Sequence, residues 1–121
     1  MIEIKEKLKN NTGFNIIHTF DSWKVAFITY SNQYDELNVV KRHTQTDEAF
    51  MLIKGEAVLF TADGDDDLIT TRLEKEKLYI IKKNTWHHLQ VSEDALLVVM
   101  ENSNTSKENT QSREIKKEQT K

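Results

Sequence analysis

The stretch Lys41-Arg42-His43-Thr44-Gln45-Thr46-Asp47-Glu48-Ala49-Phe50-Met51-Leu52-Ile53-Lys54-Gly55 decides how the chain is read. An imidazole stands five residues before a carboxylate, and a glycine closes the apolar run seven residues after that carboxylate. Leu37 to His43 reads as extended, with Val39, Lys41 and His43 on one face by the two-residue period of a strand. Thr44 to Asp47 turns the chain. Glu48 to Ile53 is the next strand, with Phe50 and Leu52 on the face of Glu48. Downstream, Trp86-His87-His88 puts two of the four histidines side by side. If these stretches face each other across a β-fold, His43, Glu48 and His87 converge as two imidazoles and one carboxylate. Such a donor set holds a first-row transition metal and leaves positions open for a substrate.

Short strands flank this stretch on both sides. Phe14 to Phe20 and Trp23 to Tyr30 precede it, parted by Asp21-Ser22. The second is rich in β-branched and aromatic residues, and its continuous apolar middle predicts burial on both faces. Ser31 to Glu36 is a polar loop. After Gly55 come Ala57 to Thr61, a hairpin tip from Asp63 to Asp67 built on Asp-Gly, and the return strand Leu68 to Leu73. Leu78 to Ile81, Trp86 to Val91 and Ala95 to Met100 follow. About eight short strands, with turns every 8–12 residues or so, predict an all-β sandwich or barrel. Residues 1–13 form an arm or a further strand. From Asn102 the composition turns polar and Ile115 is the only aliphatic residue left. Residues 1–102 are therefore expected to be the folded domain and 103–121 a flexible, disordered tail.

Composition removes several function classes. The 121 residues suit one domain, and the complete absence of cysteine excludes disulfides, thiolate zinc knuckles and thiol catalysis, in keeping with a cytoplasmic protein. The N-terminus lacks the apolar core of a signal peptide, and no apolar run is long enough to span a bilayer. A net charge of −3 with acids and bases interspersed gives no basic face for nucleic acid. No serine elbow or glycine-rich phosphate loop is present. Proline is missing and glycine occurs only at 13, 55 and 64, so turns must rest on Asn, Asp and Ser. Asp63, Asp65, Asp67 and Glu74 fit the spacing of a calcium loop. Its glycine position, however, is Leu68 and its flanks read as strands, so a solvated hairpin tip is expected there.

The chain resembles the small single-domain, RmlC-like cupins. Their first motif, His-x-His, four residues, Glu, six residues, Gly, has its frame in Lys41-Arg42-His43, Glu48 and Gly55. Their second, Gly, five residues, Pro-x-Gly, two residues, His, falls on Glu76, Lys82, Asn84 and His87 with the spacing intact. The resemblance covers roughly residues 35 to 91. It implies a double-stranded β-helix, a barrel of jelly-roll type, with a site in its open mouth and often a divalent metal. Three ligand positions match: His43, Glu48 and His87. The first metal histidine is replaced by Lys41, a cation with donors only. The turn glycine is replaced by Asn84, which tolerates a left-handed conformation.

Three readings of the site follow. In the first, His43, Glu48 and His87 bind Fe, Mn, Ni or Zn, and Lys41, Phe50 and Leu52 line the pocket of a small oxygenated ligand. Isomerase, lyase and dioxygenase chemistry all occur in cupins of this appearance. In the second, a metal-free module binds an anionic ligand through Lys41 and the two histidines and no reaction occurs; a relic cupin, in which Lys41 fills the vacated ligand position and pairs with Glu48, is the bland alternative. In the third, a sugar-nucleotide ketoisomerase or epimerase uses His43 as base without metal, with Tyr79 as partner; across the readings the catalytic candidates are Lys41, His43 and Tyr79. His88 is expected on the opposite side of its strand from His87, His18 as a structural histidine, Asp47 in solvent, and Trp86 on the barrel exterior. Trp23, Phe27, Phe50, Phe60 and Tyr79 read as core or pocket lining. The apolar middle of Trp23 to Tyr30 suggests a homodimer.

Overall fold

Side chains alternate inward and outward along nearly every strand, and that alternation builds two facing sheets. The structure, a computed structural model, describes residues 1–62, 64 and 67–115. Ten strands form among them: β1 (Gly13–Phe20), β2 (Trp23–Thr29), β3 (Val39–His43), β4 (Glu48–Lys54), β5 (Ala57–Ala62), β6 (Ile69–Arg72), β7 (Leu78–Ile81), β8 (Trp86–Val91), β9 (Leu96–Asn102) and β10 (Thr110–Glu114). One sheet has the order β1-β2-β9-β4-β7 and the other β10-β3-β8-β5-β6. Every pairing is antiparallel. The all-β architecture expected from the turn spacing, and the jelly roll that the resemblance implied, are what form.

The core lies between the sheets. Ala26 and Ile28 of β2, Leu97 and Val99 of β9, Phe50 and Leu52 of β4, and Leu59 and Leu89 of the second sheet are all buried there. The rows that supply this core continue toward one end of the barrel as polar residues. Among the described residues, Lys24, Glu101, Glu48 and His87 are the buried polar and charged side chains, one or two pleats beyond the apolar ones on the same strand faces. Register aligns three of them across the first sheet, since Lys24 lies opposite Glu101 and Glu101 opposite Glu48. The site is thus the polar end of the core.

Turns place the strands. Gly55, between β4 and β5, has φ +77, and a Cβ there would lie 2.7 Å from the Cα of Ala95, so glycine is required on both counts. Glu76 and Asn84 occupy the glycine positions of the second cupin motif and both adopt the left-handed conformation, with φ 67 and 68. Both turns thus take a conformation that favours glycine without having one. Trp86 packs with Val40 and Ala62 in a second cluster, away from the main core, and the guanidinium carbons of Arg42 and Arg113 lie 4.4 and 4.7 Å from its ring centroid.

Two expectations need correction. Trp23–Thr29 is not buried on both faces: Lys24, Ala26 and Ile28 point inward and are buried, whereas Val25 and Phe27 are half-buried and Trp23 is 46% exposed. A continuous apolar run marks here an outer face that is apolar as well. The polar segment from 103 onward is not a tail throughout, because Thr110–Glu114 pairs antiparallel with β3 along its whole length. Backbone pairing on a sheet edge needs no apolar side chains, so composition hides such a strand. Residues 116–121 of the expected tail, and Asp63, Asp65 and Asp66 of the hairpin tip, lie outside the described residues. No helix among the described residues is long and apolar enough to cross a membrane.

Candidate metal and ligand site

His43 closes β3 and Glu48 opens β4, so the four-residue turn between them folds the imidazole back onto the carboxylate. His87, on β8, stands opposite Lys41 of β3. The Nε2 atoms of His43 and His87 each lie 3.2 Å from Oε1 of Glu48. One ligand atom from each of the three residues falls within 4.8 Å of the other two. The outer ring nitrogens are held as well. Nδ1 of His87 is 3.0 Å from the carbonyl oxygen of Thr85, and Nδ1 of His43 is 2.9 Å from Oγ1 of Thr110 on β10. Asp47 is not merely in solvent: it accepts hydrogen bonds from Lys82 Nζ at 2.7 Å and from the Lys83 N–H at 2.9 Å. It thereby ties the turn before Glu48 to the turn before His87, and the Lys82 and Lys83 bonds lower its pKa.

Burial alone would push the Glu48 carboxyl up, but hydrogen bonds from the cationic forms of the two imidazoles, together with their charge, outweigh it and bring the group to about 2. For His43, burial pulls down, yet the bond to Glu48 and the charges of Glu48 and Glu101 leave the imidazole raised above its ordinary value. Glu101 goes the other way. Burial first, then the Glu48 charge, push it to about 7 against the pull of Lys24 and His43. Lys24 Nζ lies 4.0 Å from Glu101 Oε1 and donates to the Thr105 carbonyl at 2.9 Å. Glu101 Oε2 is buried and has no hydrogen-bond partner among the described residues.

A cavity of about 1290 Å³ opens over this group, bounded by Lys24, Lys41, Phe50, Glu101, Thr110 and Ser112 among others. The expected set is therefore only partly assembled. His43, Glu48 and His87 come together, and Lys41 and Phe50 line the cavity. Leu52 does not: one repeat deeper on the face of Phe50, it is 2% exposed in the core. Tyr79 lies opposite Phe50 in the sheet, but it packs against the core and its hydroxyl accepts the Glu74 N–H at 2.9 Å, away from the cavity wall. The pairing of Lys41 with Glu48 is not formed either. Glu48 is paired with the two histidines, and Lys41 is exposed at the cavity margin.

His88 is half-buried beside Phe60, and burial is the main cause that lowers its pKa. Nδ1 of His18 lies 2.9 Å from Lys5 Nζ, and its ring is tilted by 50° against that of Trp23, centroids 5.7 Å apart.

Three residues of the site were missed in the sequence. Lys24 sits in phase with Ala26 and Ile28, and Glu101 in phase with Leu97 and Val99, so strict alternation would have pointed both inward. Thr110 had no such signal, because the strand that carries it is polar throughout.

The donor chemistry fits a first-row divalent cation. Two atoms each about 2.1 Å from one ion lie about 3.0–3.4 Å apart between right-angle and tetrahedral arrangements, a range the two nitrogen–oxygen separations of 3.2 Å meet, while the three ligand atoms together lie within 4.8 Å of one another. Ring nitrogens held from behind are the usual support of histidine ligands.

No protein-family model matches the chain, and no curated protein does. Solved structures do match. A Bacillus halodurans protein, BH2720, superposes with a TM-score of 0.65 at 13% identity, over 81% of this chain and 75% of that one. An RmlC-like cupin family protein with a double-stranded β-helix fold, from Methanocaldococcus jannaschii, gives 0.58 at 16% identity over 84% and 92%. The QdtA 3,4-ketoisomerase from Thermoanaerobacterium thermosaccharolyticum, solved in complex with TDP, gives 0.63 at 17% identity over 76% and 67%. The chain has the double-stranded β-helix fold of the cupins.

Proposed function

We propose that this chain is a metal-dependent cupin that takes a small anionic, oxygen-rich ligand into the mouth of the barrel, with His43, Glu48 and His87 holding a divalent Fe, Mn, Ni or Zn ion. The observation that carries this reading is the partner of His87. Its Nδ1 faces a carbonyl oxygen, which only accepts, so in the neutral ring Nε2 bears a lone pair. That lone pair faces the Glu48 carboxylate oxygen at 3.2 Å, an unfavourable meeting unless a cation or a proton lies between them. When bound, such an ion supplies Lewis-acid polarisation of a ligand oxygen, or a centre for dioxygen chemistry. The chain's own groups do the rest. Lys41 at the cavity margin attracts the ligand's carboxylate, Phe50 excludes water beneath it, and Lys24 with the Thr110 and Ser112 hydroxyls offers hydrogen bonds to its oxygens.

A second reading, a metal-free site for an anion, is favoured by the raised pKa of His43 and by Lys41 beside it. There the positive charge near Glu48 would come from protonated imidazoles. The ketoisomerase-like reading loses its partner for His43, because Tyr79 turns its hydroxyl to Glu74. Glu48→Gln separates the first two readings by titration calorimetry with Mn(II), Zn(II) and citrate. Loss of metal binding by tenfold or more supports the metal centre. Unchanged citrate binding with no metal uptake in either form supports the anion site.

We also propose a homodimer through the outer face of the first sheet. Val25, Met100, Ala49 and Ile80 form one cross-strand row there, and Phe27, Val98, Met51 and Leu78 the next. Two adjacent rows without a charge are unusual for a face left to water.

A further inference from the structure

The two histidines of the site have different partners behind them, and the difference has consequences. The Thr85 carbonyl can only accept, so Nδ1 of His87 must carry a hydrogen for the 3.0 Å contact to be a bond. Thr110 offers a hydroxyl, which donates or accepts as its rotor turns. The other nitrogen of His43 faces Glu48 Oε1 at 3.2 Å, and a carboxylate is ionised at about pH 8.5 and only accepts. In a neutral His43 the hydrogen therefore belongs on Nε2, where it bonds Glu48, and the Thr110 hydroxyl donates to Nδ1 over 2.9 Å.

We propose that Thr110 is a positioning residue that holds metal-free His43 in the Nε2–H tautomer, opposite to His87, and reverses its hydrogen bond when the Nε2 lone pair is given to a cation. In that reversal Nε2 releases one hydrogen ion and Nδ1 gains one, so the ring stays neutral. The Thr110 hydroxyl turns from donor to acceptor. His87 needs no such exchange, because its Nε2 is already bare.

A fixed carbonyl behind both rings would leave two lone pairs aimed at one carboxylate oxygen. The hydroxyl relieves one of these clashes without giving up the ligand. The residue that does so arrives on β10, placed opposite His43 in the pairing of β10 with β3. The segment beyond Asn102 thus contributes chemistry to the site as well as an edge strand. The swap on cation loading rests on the metal reading above, whereas the metal-free tautomers do not.

Long-range ¹H–¹⁵N spectra of the histidine-labelled full chain test this at a pH of about 8.5 or above, beyond the point where the His43 ring nitrogen shifts stop changing and the ring is neutral. Stripped of metal, His43 is expected as Nε2–H and His87 as Nδ1–H. Finding His43 as Nδ1–H in the stripped protein overturns the inference. On addition of Zn(II), His43 is expected to change to Nδ1–H while His87 keeps its hydrogen. Thr110→Val should weaken zinc binding about 10–100-fold, the usual cost of losing such a supporting bond, and Thr110→Ser should restore it. Zinc bound equally well by Thr110→Val and the wild type overturns the role of Thr110, as does a failure of Thr110→Ser to rescue. A wild type that takes up no zinc counts against the proposed metal function, and the stripped-protein tautomers then decide the inference alone.

Discussion

Glu101 is 8% exposed and stands one strand away from Glu48, so two carboxyl groups share a poorly hydrated corner. Only one is comfortably ionised there, and the histidines select Glu48. Glu101 titrates at about 7 in the fold against an ordinary 4.5. The unfolded chain therefore loses that proton first, and stability from this group declines as pH rises from about 4.5 to 7. Glu101→Gln in metal-stripped protein is accordingly expected to raise urea stability at about pH 8 by on the order of 2 kcal/mol, with little effect near pH 5. An equal effect at both pH values would mean that the gain is packing. Glu76 is a second residue under strain, since its left-handed φ of 67 suits glycine. The left-handed penalty of about 1–2 kcal/mol outweighs the entropy glycine costs, about 0.5–1 kcal/mol, so Glu76→Gly should stabilise slightly, read as a higher urea midpoint.

At the scale of elements, the turns decide where the ligands stand. Gly55→Ala would set a Cβ 2.7 Å from Ala95 Cα in a conformation that side chains avoid. A loss of about 2–4 kcal/mol in denaturant unfolding is the expected result. The spacing from His43 through Glu48 to Gly55 was legible because strand, turn and strand each leave a local mark. The spacing of Glu76, Lys82, Asn84 and His87 was legible for the same reason, even with its glycines replaced. Lys24 and Glu101 were legible in principle by alternation, but a lysine beside a tryptophan and a glutamate after Met100 look like strand ends. β10 was not legible at all. Its pairing with β3 is made by backbone groups between residues 67 to 75 positions apart, and Thr-Gln-Ser-Arg-Glu carries no apolar period to announce it. Leu52 and Tyr79 were misplaced because a shared face says nothing about depth along the barrel.

The whole molecule is a barrel with a polar mouth and an apolar outer wall on one sheet. If that wall joins two copies, Ile80→Lys, at a position 48% exposed, should halve the mass seen by sedimentation while leaving the β-sheet circular dichroism unchanged. A wild type that sediments as one chain would rule the pairing out. The central claim concerns the mouth, where two imidazoles aim at one buried carboxylate oxygen. Elemental analysis of untagged protein purified without chelator, and again after anaerobic reconstitution with Fe, Mn, Ni and Zn, tests it most directly. Close to one first-row metal ion per chain is expected, lost in His43→Ala. Metal-free protein after reconstitution, or metal that His43→Ala retains in full, would contradict it.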